Sequence, residues 1–272
     1  MLSAVEVRMA NISDWISISL RRSPLSSAPY LIKSIDGLGP VKAEISTSSY
    51  GSQDGGLVQA SRLGTRNIVI KLGYAPNYPG DQTIENLRRD LYSYFPPKGE
   101  VSLRFINDAQ QSVDIKGVVE SNDPLIFTKD PEVQISIICV EPLFTALLPV
   151  VYDGLNNAPI DPSEKNMGET GFLFELFVNQ TISQVTVANG LSTDLVYGGE
   201  LLAGDVLRIS TVRGKKYVDR FRNGVNAGVL DNLVSGAMNM YIDSKTPEFM
   251  VTTSTTTDIP FRLTLTPKYI GL

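Results

Sequence analysis

Histidine does not occur among the 272 residues, and the one cysteine, Cys139, sits inside the apolar run "VQISIICV". Ser-His-Asp and Cys-His catalysis are therefore excluded, as are the usual zinc sites and a histidine pH switch. An intrachain disulfide is excluded as well, and Cys139 reads as a small buried hydrophobe. What remains is carboxylate or lysine chemistry, or a cation held by oxygens. The lysine candidate is "RGKK", Arg213 to Lys216. A phosphate loop needs a glycine five residues before Gly-Lys and a hydroxyl residue after it, opening a helix. Here Ile209 stands at the first position and Lys216 at the second, and the strand-like "YVDRF" follows. The stretch reads instead as a hairpin turning at Arg213-Gly214. The oxygen-rich segment "DGLNNAPIDPSEKN" offers Asp153, Asn156, Asn157, Asp161 and Glu164, but not the alternating acidic spacing of a calcium loop. Carboxylate pairs for glycoside hydrolysis have no sequence signature, because the separation that matters is through space. No catalytic, cofactor-binding or metal-ligating residue is assigned, and the chain is expected not to be an enzyme.

The wider composition narrows the partners. A net charge of −5 gives no basic footprint for nucleic acid. No run of about eighteen apolar residues and no basic-then-apolar leader occurs, so neither membrane insertion nor classical secretion is expected. The triplets at Asn11 and Asn179 match the glycosylation signal but lack that context.

Period-two alternation dominates the elements. "FRLTLT" puts Phe261, Leu263 and Leu265 on one face; "FLFELFVNQ" does so with Phe172, Phe174, Leu176 and Val178, "SVDIKGVVE" with Val113, Ile115 and Val119, and "MNMYID" with Met238, Met240 and Ile242. Further strands are expected in "VEVRM", "WISISL", "YLIKSI", "NIVIKLGY", "VSLRFI", "VQISIICV", "SQVTVANG" and "EFMVTTST". One helix interrupts them. "DQTIENLRRDLYSYFPP" spaces Ile84, Leu87, Leu91 and Phe95 at helical intervals, with Asp81 or Thr83 as cap and Pro96-Pro97 as stop. Its outer face carries Glu85, Arg88, Arg89 and Asp90, either solvated or in contact with another subunit. "SSYGSQDGGLVQASR", Ser48 to Arg62, lacks the dinucleotide fingerprint and reads as a mobile connection or a long hairpin reaching to a neighbour. After "CVEPLF" the strand signals fade into Pro, Gly, Asn and Asp, which places a linker there and a boundary near residue 145.

Several stretches then line up in order along nearly the whole chain: "SIDGLGPVKAEIS", the glycine-rich loop leading to "SRLGTRNIVIKLGY", "TIENLRRDLYSYFPPKG" running into "VSLRF", "VQISIICVEPLF", "GELLAGDVLRISTVRGKKYV", "GAMNMYID" and the terminal "RLTLTPKYIGL". The chain resembles the distal tail proteins of long-tailed, non-contractile bacteriophages, the baseplate hub components. The resemblance implies a mainly β chain: an N-terminal β-sandwich (belt) domain with one α-helix over residues 1–145, then a C-terminal galectin-like or jelly-roll β-sandwich over 146–272. It implies that Ile84 to Phe95 is the belt helix, that Gly204-Asp205 through Val218 is the central hairpin of the second domain, and that Tyr269, Gly271 and Leu272 close its last strand. It also implies a homohexameric ring assembled in the host cytoplasm and carried at the distal end of the virion tail. Its partners would be the tail tube protein, the end of the tape-measure protein, the tail-tip hub protein and the receptor-binding proteins.

A closed ring needs two different patches on each subunit. The helix and the glycine-rich loop are the expected ones, with Tyr50, Gly51, Asp54, Arg62, Glu85, Arg88 and Arg89 as interface residues. The connections of the second domain are too short for an inserted carbohydrate module. The alternative is a glycan-binding β-sandwich of a virion or cell surface that stacks sugars on Tyr197, Tyr217 or Tyr241. Trp15, the lone tryptophan, lies far from that domain in sequence.

Overall fold

A computed structural model describes residues 2–10, 13–19, 29–51, 54–75, 83–107, 112–125, 128–236 and 238–272. The chain divides into two compact units, residues 1–147 with 270–272, and residues 148–269. The division falls between Leu147 and Leu148. The last three residues do not follow it: Leu272 N–H donates to the Leu38 carbonyl at 3.0 Å, and Gly271 lies against Gly39 and Pro40. Gly271 and Leu272 therefore belong to the first unit rather than to a closing strand of the second, while Tyr269 stays with the second.

The first unit contains β1 (Leu2–Met9), β2 (Ile16–Ser19), β3 (Tyr30–Asp36), β4 (Ala43–Ser49), β5 (Gly56–Leu63), β6 (Arg66–Tyr74), α1 (Ile84–Tyr94), β7 (Glu100–Asn107), β8 (Ser112–Leu125), β9 (Glu132–Cys139) and β10 (Phe144–Ala146). Seven strands pair in the order β2-β1-β7-β8-β9-β6-β3, with β10 beside β8. The alternation read from the sequence is the burial pattern: Val5 and Val7, Ile68, Ile70 and Leu72, Val101, Leu103 and Phe105, and Val133, Ile135 and Ile137 all face the core. β8 changes partner part-way, pairing with β7 over Ser112–Val118 and with β9 from Val118 onward, with a bulge between Val119 and Ser121. A bulge bends its strand, and here it receives the helix.

Helix α1 forms where its periodicity places it. Thr83 Oγ1 accepts from the Asn86 N–H at 3.3 Å, so Thr83 is the cap, whereas Asp81 lies outside the described residues. Leu87, Leu91 and Phe95 are buried. At the helix end Asn122 Nδ2, just beyond the β8 bulge, donates to Phe95 O at 3.2 Å and to Leu91 O, which also accepts from Phe95 N–H, at 3.4 Å. At mid-helix the Tyr30 hydroxyl donates to the Leu87 carbonyl at 2.9 Å.

The second unit contains β11 (Val150–Leu155), β12 (Phe172–Phe177), β13 (Val185–Ala188), β14 (Leu195–Tyr197), β15 (Val206–Ser210), β16 (Tyr217–Arg222), β17 (Val225–Gly228), β18 (Leu233–Ser235), β19 (Met250–Thr253), β20 (Pro260–Leu265) and β21 (Lys268–Tyr269). A six-stranded sheet runs β11-β20-β12-β15-β16-β17 and a four-stranded one β18-β14-β13-β19. They share a core in which Phe172, Phe174, Phe249 and Phe261 meet edge-on or tilted, with centroids 5.4–6.3 Å apart. This is a β-sandwich, and the chain as a whole is mainly β with a single α-helix among the described residues.

Two sequence expectations are corrected here. The stretch after residue 145 carries strand β11, which pairs with β20 from Val150↔Leu265 to Leu155↔Pro260. Its neighbouring Pro, Gly and Asn residues mask a period-two run. "MNMYID" is not a strand: only Ile242 makes an isolated bridge, to Thr170, although Met240 and Ile242 are buried as their spacing requires. Burial of alternate residues does not by itself supply a pairing partner.

Candidate assembly surface

The Ser48 to Arg62 stretch is a long hairpin. Among the described residues strands β4 and β5 pair only with each other, from Ala43↔Leu63 to Ser49↔Gly56, and every side chain along β5 is exposed. An extra residue, Gln59, interrupts the register between Ser46↔Ala60 and Thr47↔Val58. Because opposed residues share a face, the pairing puts Ala43, Ile45, Thr47, Val58, Ser61 and Leu63 on one side and Glu44, Ser46, Ser48, Leu57, Ala60 and Arg62 on the other. Without the extra residue, Val58 would sit with Glu44 and Arg62. One side of the arm thus carries Ile45, Val58 and Leu63, 59%, 64% and 40% exposed. The other carries the Glu44–Arg62 pair at 2.7 Å, whose exposure makes it worth little as an anchor. Gly55, at φ +99°, and Gly56, where a Cβ would meet the Ser48 carbonyl at 2.5 Å, allow the chain to turn at the tip.

A two-stranded ribbon with no third strand beneath it is marginal in water. Its root is held by Arg66, 2% exposed, at the start of β6. Arg66 Nε donates to Pro142 O at 2.6 Å, Nη1 to Gly37 O at 2.5 Å and Gly39 O at 2.7 Å, and Nη2 to Ile270 O at 2.6 Å. The guanidinium carbon lies 4.3 Å from the centroid of the Phe144 ring. Burial pulls its pKa below the usual arginine value. Sequence reading missed Arg66, yet a signal existed: it has the same parity as Ile68, Ile70 and Leu72, so a charged residue occupies an inward position of a core strand. Cys139, opposite Arg66 in the β6–β9 register, has its thiol pushed up to about 11 by burial.

The sequence-predicted interface residues fall in two groups. Tyr50, Gly51, Asp54 and Arg62 lie along the arm, with Tyr50 exposed near its tip. Glu85, Arg88 and Arg89 lie on α1, where Glu85 and Arg88 pair at 3.7 Å. Among the described residues no hydrogen bond or ion pair joins the two groups. Arg88 is not a free outward cation as the helical wheel implied: it is half-buried beside Tyr74, and its Nε is enclosed. Arg89 remains exposed.

The other candidates are engaged in structure. Asp153 pairs with Arg262 at 2.8 Å, Asn156 is buried and accepts from Ile259 N–H, Asp161 accepts from Ser163, and Glu164 accepts from the Tyr269 hydroxyl. They do not converge: among the described residues no group of three or more carboxylate or cysteine side chains could hold a metal. Tyr197 is fully buried and accepts from Asn232, so it cannot stack a sugar; Tyr217 and Tyr241 are half-buried. The "RGKK" stretch is the turn between β15 and β16, with Gly214 at φ +78° and Lys215 N–H donating to Val212 O at 2.9 Å. Asp205, 2% exposed, takes both its oxygens to Arg222 at 2.6–2.7 Å and accepts from Leu202 N–H at 2.8 Å. That charged hydrogen bonding holds its carboxyl below the usual range.

The family model of the phage tail protein RIFT-related domain matches residues 25–173, 149 of the 272, which covers most of the first unit and reaches strand β12. The chain belongs to this family. No curated protein sequence matches. Among solved structures, the Dit protein of phage SPP1, described as a paradigm of the hub adsorption apparatus in phages infecting Gram-positive bacteria, superposes with a TM-score of 0.61 at 14% identity over 88% of this chain and 93% of that one. The fold is shared. A chain of the activated phage P2 baseplate aligns over 97% of this chain and 98% of that one at 9% identity, with a TM-score of 0.38. By its family the protein is a phage tail protein, and it shares its β fold with the SPP1 Dit protein.

Proposed function

We propose that this phage tail protein is the distal tail subunit of the baseplate hub, a structural protein without catalytic activity that closes into a homohexameric ring. The ring would be continuous with the tail tube protein and meet the end of the tape-measure protein. It would carry the tail-tip hub protein and the receptor-binding proteins. Residues 1–145 form the ring and 146–272 the outer domain, apart from the returning tail at 270–272. Assembly takes place in the host cytoplasm before the tail joins the virion.

The observation that carries this reading is the arm: a ribbon that displays Ile45, Val58 and Leu63 and finds no packing partner among the described residues of its own chain. An apolar row on an unsupported ribbon needs an external surface. A heterologous contact of that kind gives a ring where its rotation closes, which is the assembly proposed. Light scattering of the purified chain, with negative-stain images of the same peak, tests it. A mass of six subunits and rings with a central hole are expected; a mass that stays monomeric at every concentration, alone and with tail tube protein added, refutes ring formation.

A further inference from the structure

Arg66 occupies a place that burial of a hydrophobic residue would fill more simply. A guanidinium taken out of water costs several kcal/mol unless its donors are satisfied, and among the described residues no carboxylate pairs with it. Four of its hydrogen bonds go to backbone carbonyls drawn from three separate segments, Gly37 and Gly39, Pro142, and Ile270. Their positions in the chain give the arrangement its meaning. Gly37 and Gly39 lie on the segment leading into β4, and Arg66 follows the end of β5 by three residues, so both legs of the arm meet at one guanidinium. Gly64 N–H donates to Lys42 O at 3.3 Å just above it, and Leu272 N–H to Leu38 O at 3.0 Å beside it. Gly37, at φ +88°, presses so closely on Asn67 that a Cβ would lie 2.0 Å from its carbonyl oxygen. The root is thereby locked against β6. Beyond the Gly64–Lys42 bond, among the described residues, the ribbon is held by its own ladder and the exposed Glu44–Arg62 pair.

We infer that Arg66 is the positioning residue of the assembly arm: its planar fork clamps the Gly37–Gly39 leg, the Pro142 loop and the Ile270 tail to β6 and so fixes the direction in which Ile45, Val58 and Leu63 are presented to a second copy of the chain. This inference rests on the proposed ring contact of the arm. A lysine cannot replace the arginine here, because a single ammonium with three donors does not reach four carbonyls arranged around a plane. The preorganisation matters energetically: an arm free to swing must lose that freedom at every contact it makes.

The test uses spin labels at Ala60→Cys, on the side of the arm away from Ile45, Val58 and Leu63, and at Lys116→Cys on β8, with the monomer fraction measured by pulsed dipolar spectroscopy and assembly of the unlabelled chain followed by light scattering. Cys139 is buried and stays unlabelled. With Arg66 present, one narrow distance distribution is expected; in R66K it broadens, and the concentration needed for assembly rises about tenfold or more. A second variant, a Gly-Ser pair inserted after Pro40, leaves Arg66 and its partners in place but slackens one leg, and is expected to reproduce both effects. It serves if R66K does not fold. An unchanged distance distribution in both variants overturns the positioning role, whatever happens to assembly. A broadened distribution with unchanged assembly supports the clamp and overturns the use of the arm as a ring contact.

Discussion

Replacing Ile45 and Val58 together by threonine probes the arm with little disturbance to the fold. Both residues are β-branched, so threonine keeps the strand preference and most of the shape. Neither side chain belongs to a core: they are 59% and 64% exposed. The melting temperature of the isolated chain should therefore move by little. Assembly should respond strongly. Fully burying an isoleucine or valine is worth about 1.5–3 kcal/mol, and with roughly three-fifths of each still exposed, about 1–2 kcal/mol per side chain remains to be gained at a contact. The pair then accounts for about 2–4 kcal/mol per interface, and threonine, which keeps one methyl, forfeits about half of it, or about a 5- to 30-fold weakening of each contact. Sedimentation velocity over a hundred-fold or so concentration series reads this directly, with thermal denaturation of the same samples as the control. An assembly midpoint unchanged from the parent chain would falsify the arm as the closing contact. A matching fall in melting temperature would show instead that the arm packs within its own chain.

Other outcomes follow from the same structure. Asp205 has a depressed pKa, so the stability it contributes is present above the unfolded carboxylate value of about 4 and is lost as pH falls through the lower folded value; D205N should melt below the parent at neutral pH, and the gap should close below about pH 4. F249A removes the centre of the phenylalanine cluster of the second unit and should cost about 3–5 kcal/mol in urea denaturation followed by circular dichroism. The fluorescence of Trp15, which reports the first unit, should shift less in that variant. Gly37→Ala must displace the Asn67 carbonyl and should lower the melting temperature well beyond Gly214→Ala, where φ is also positive but no atom lies within 4 Å of the new Cβ; similar losses at the two sites would refute the locked root. Cys139, buried with its thiol pushed up to about 11, should resist a thiol-reactive disulfide reagent at neutral pH until the chain is unfolded.

The limits of sequence reading show at particular residues. Helix α1 was legible because its signals are local: Thr83 caps it, Leu87, Leu91 and Phe95 recur at the helical period, and Pro96 stands beyond it. Strands such as β12 and β20 were legible for the same reason, since a sheet with one buried face writes its alternation into the chain. The β4–β5 arm was only half legible. Its glycines and serines fit a mobile loop as well as a ribbon, and the residue that decides which side Val58 faces, the extra Gln59, leaves no pattern that a period-two scan detects. Arg88 looked like an outward cation on the helical wheel and proved half-buried with its Nε enclosed, because the surroundings of a helix face are set by elements far away in the chain.

The sequence by itself determined the class of chemistry: without histidine and with one buried cysteine, the chain lacks the parts for the common catalytic and zinc sites, and its alternation commits it to β structure around one helix. The tertiary structure decided how the root of the arm is held. Arg66 meets the carbonyls of Gly37, Gly39, Pro142 and Ile270 over separations of up to 204 residues. Backbone carbonyls carry no sequence signature, since every residue has one. Which of them a buried guanidinium gathers depends on the sheet that places it inside, and only the folded chain contains that information.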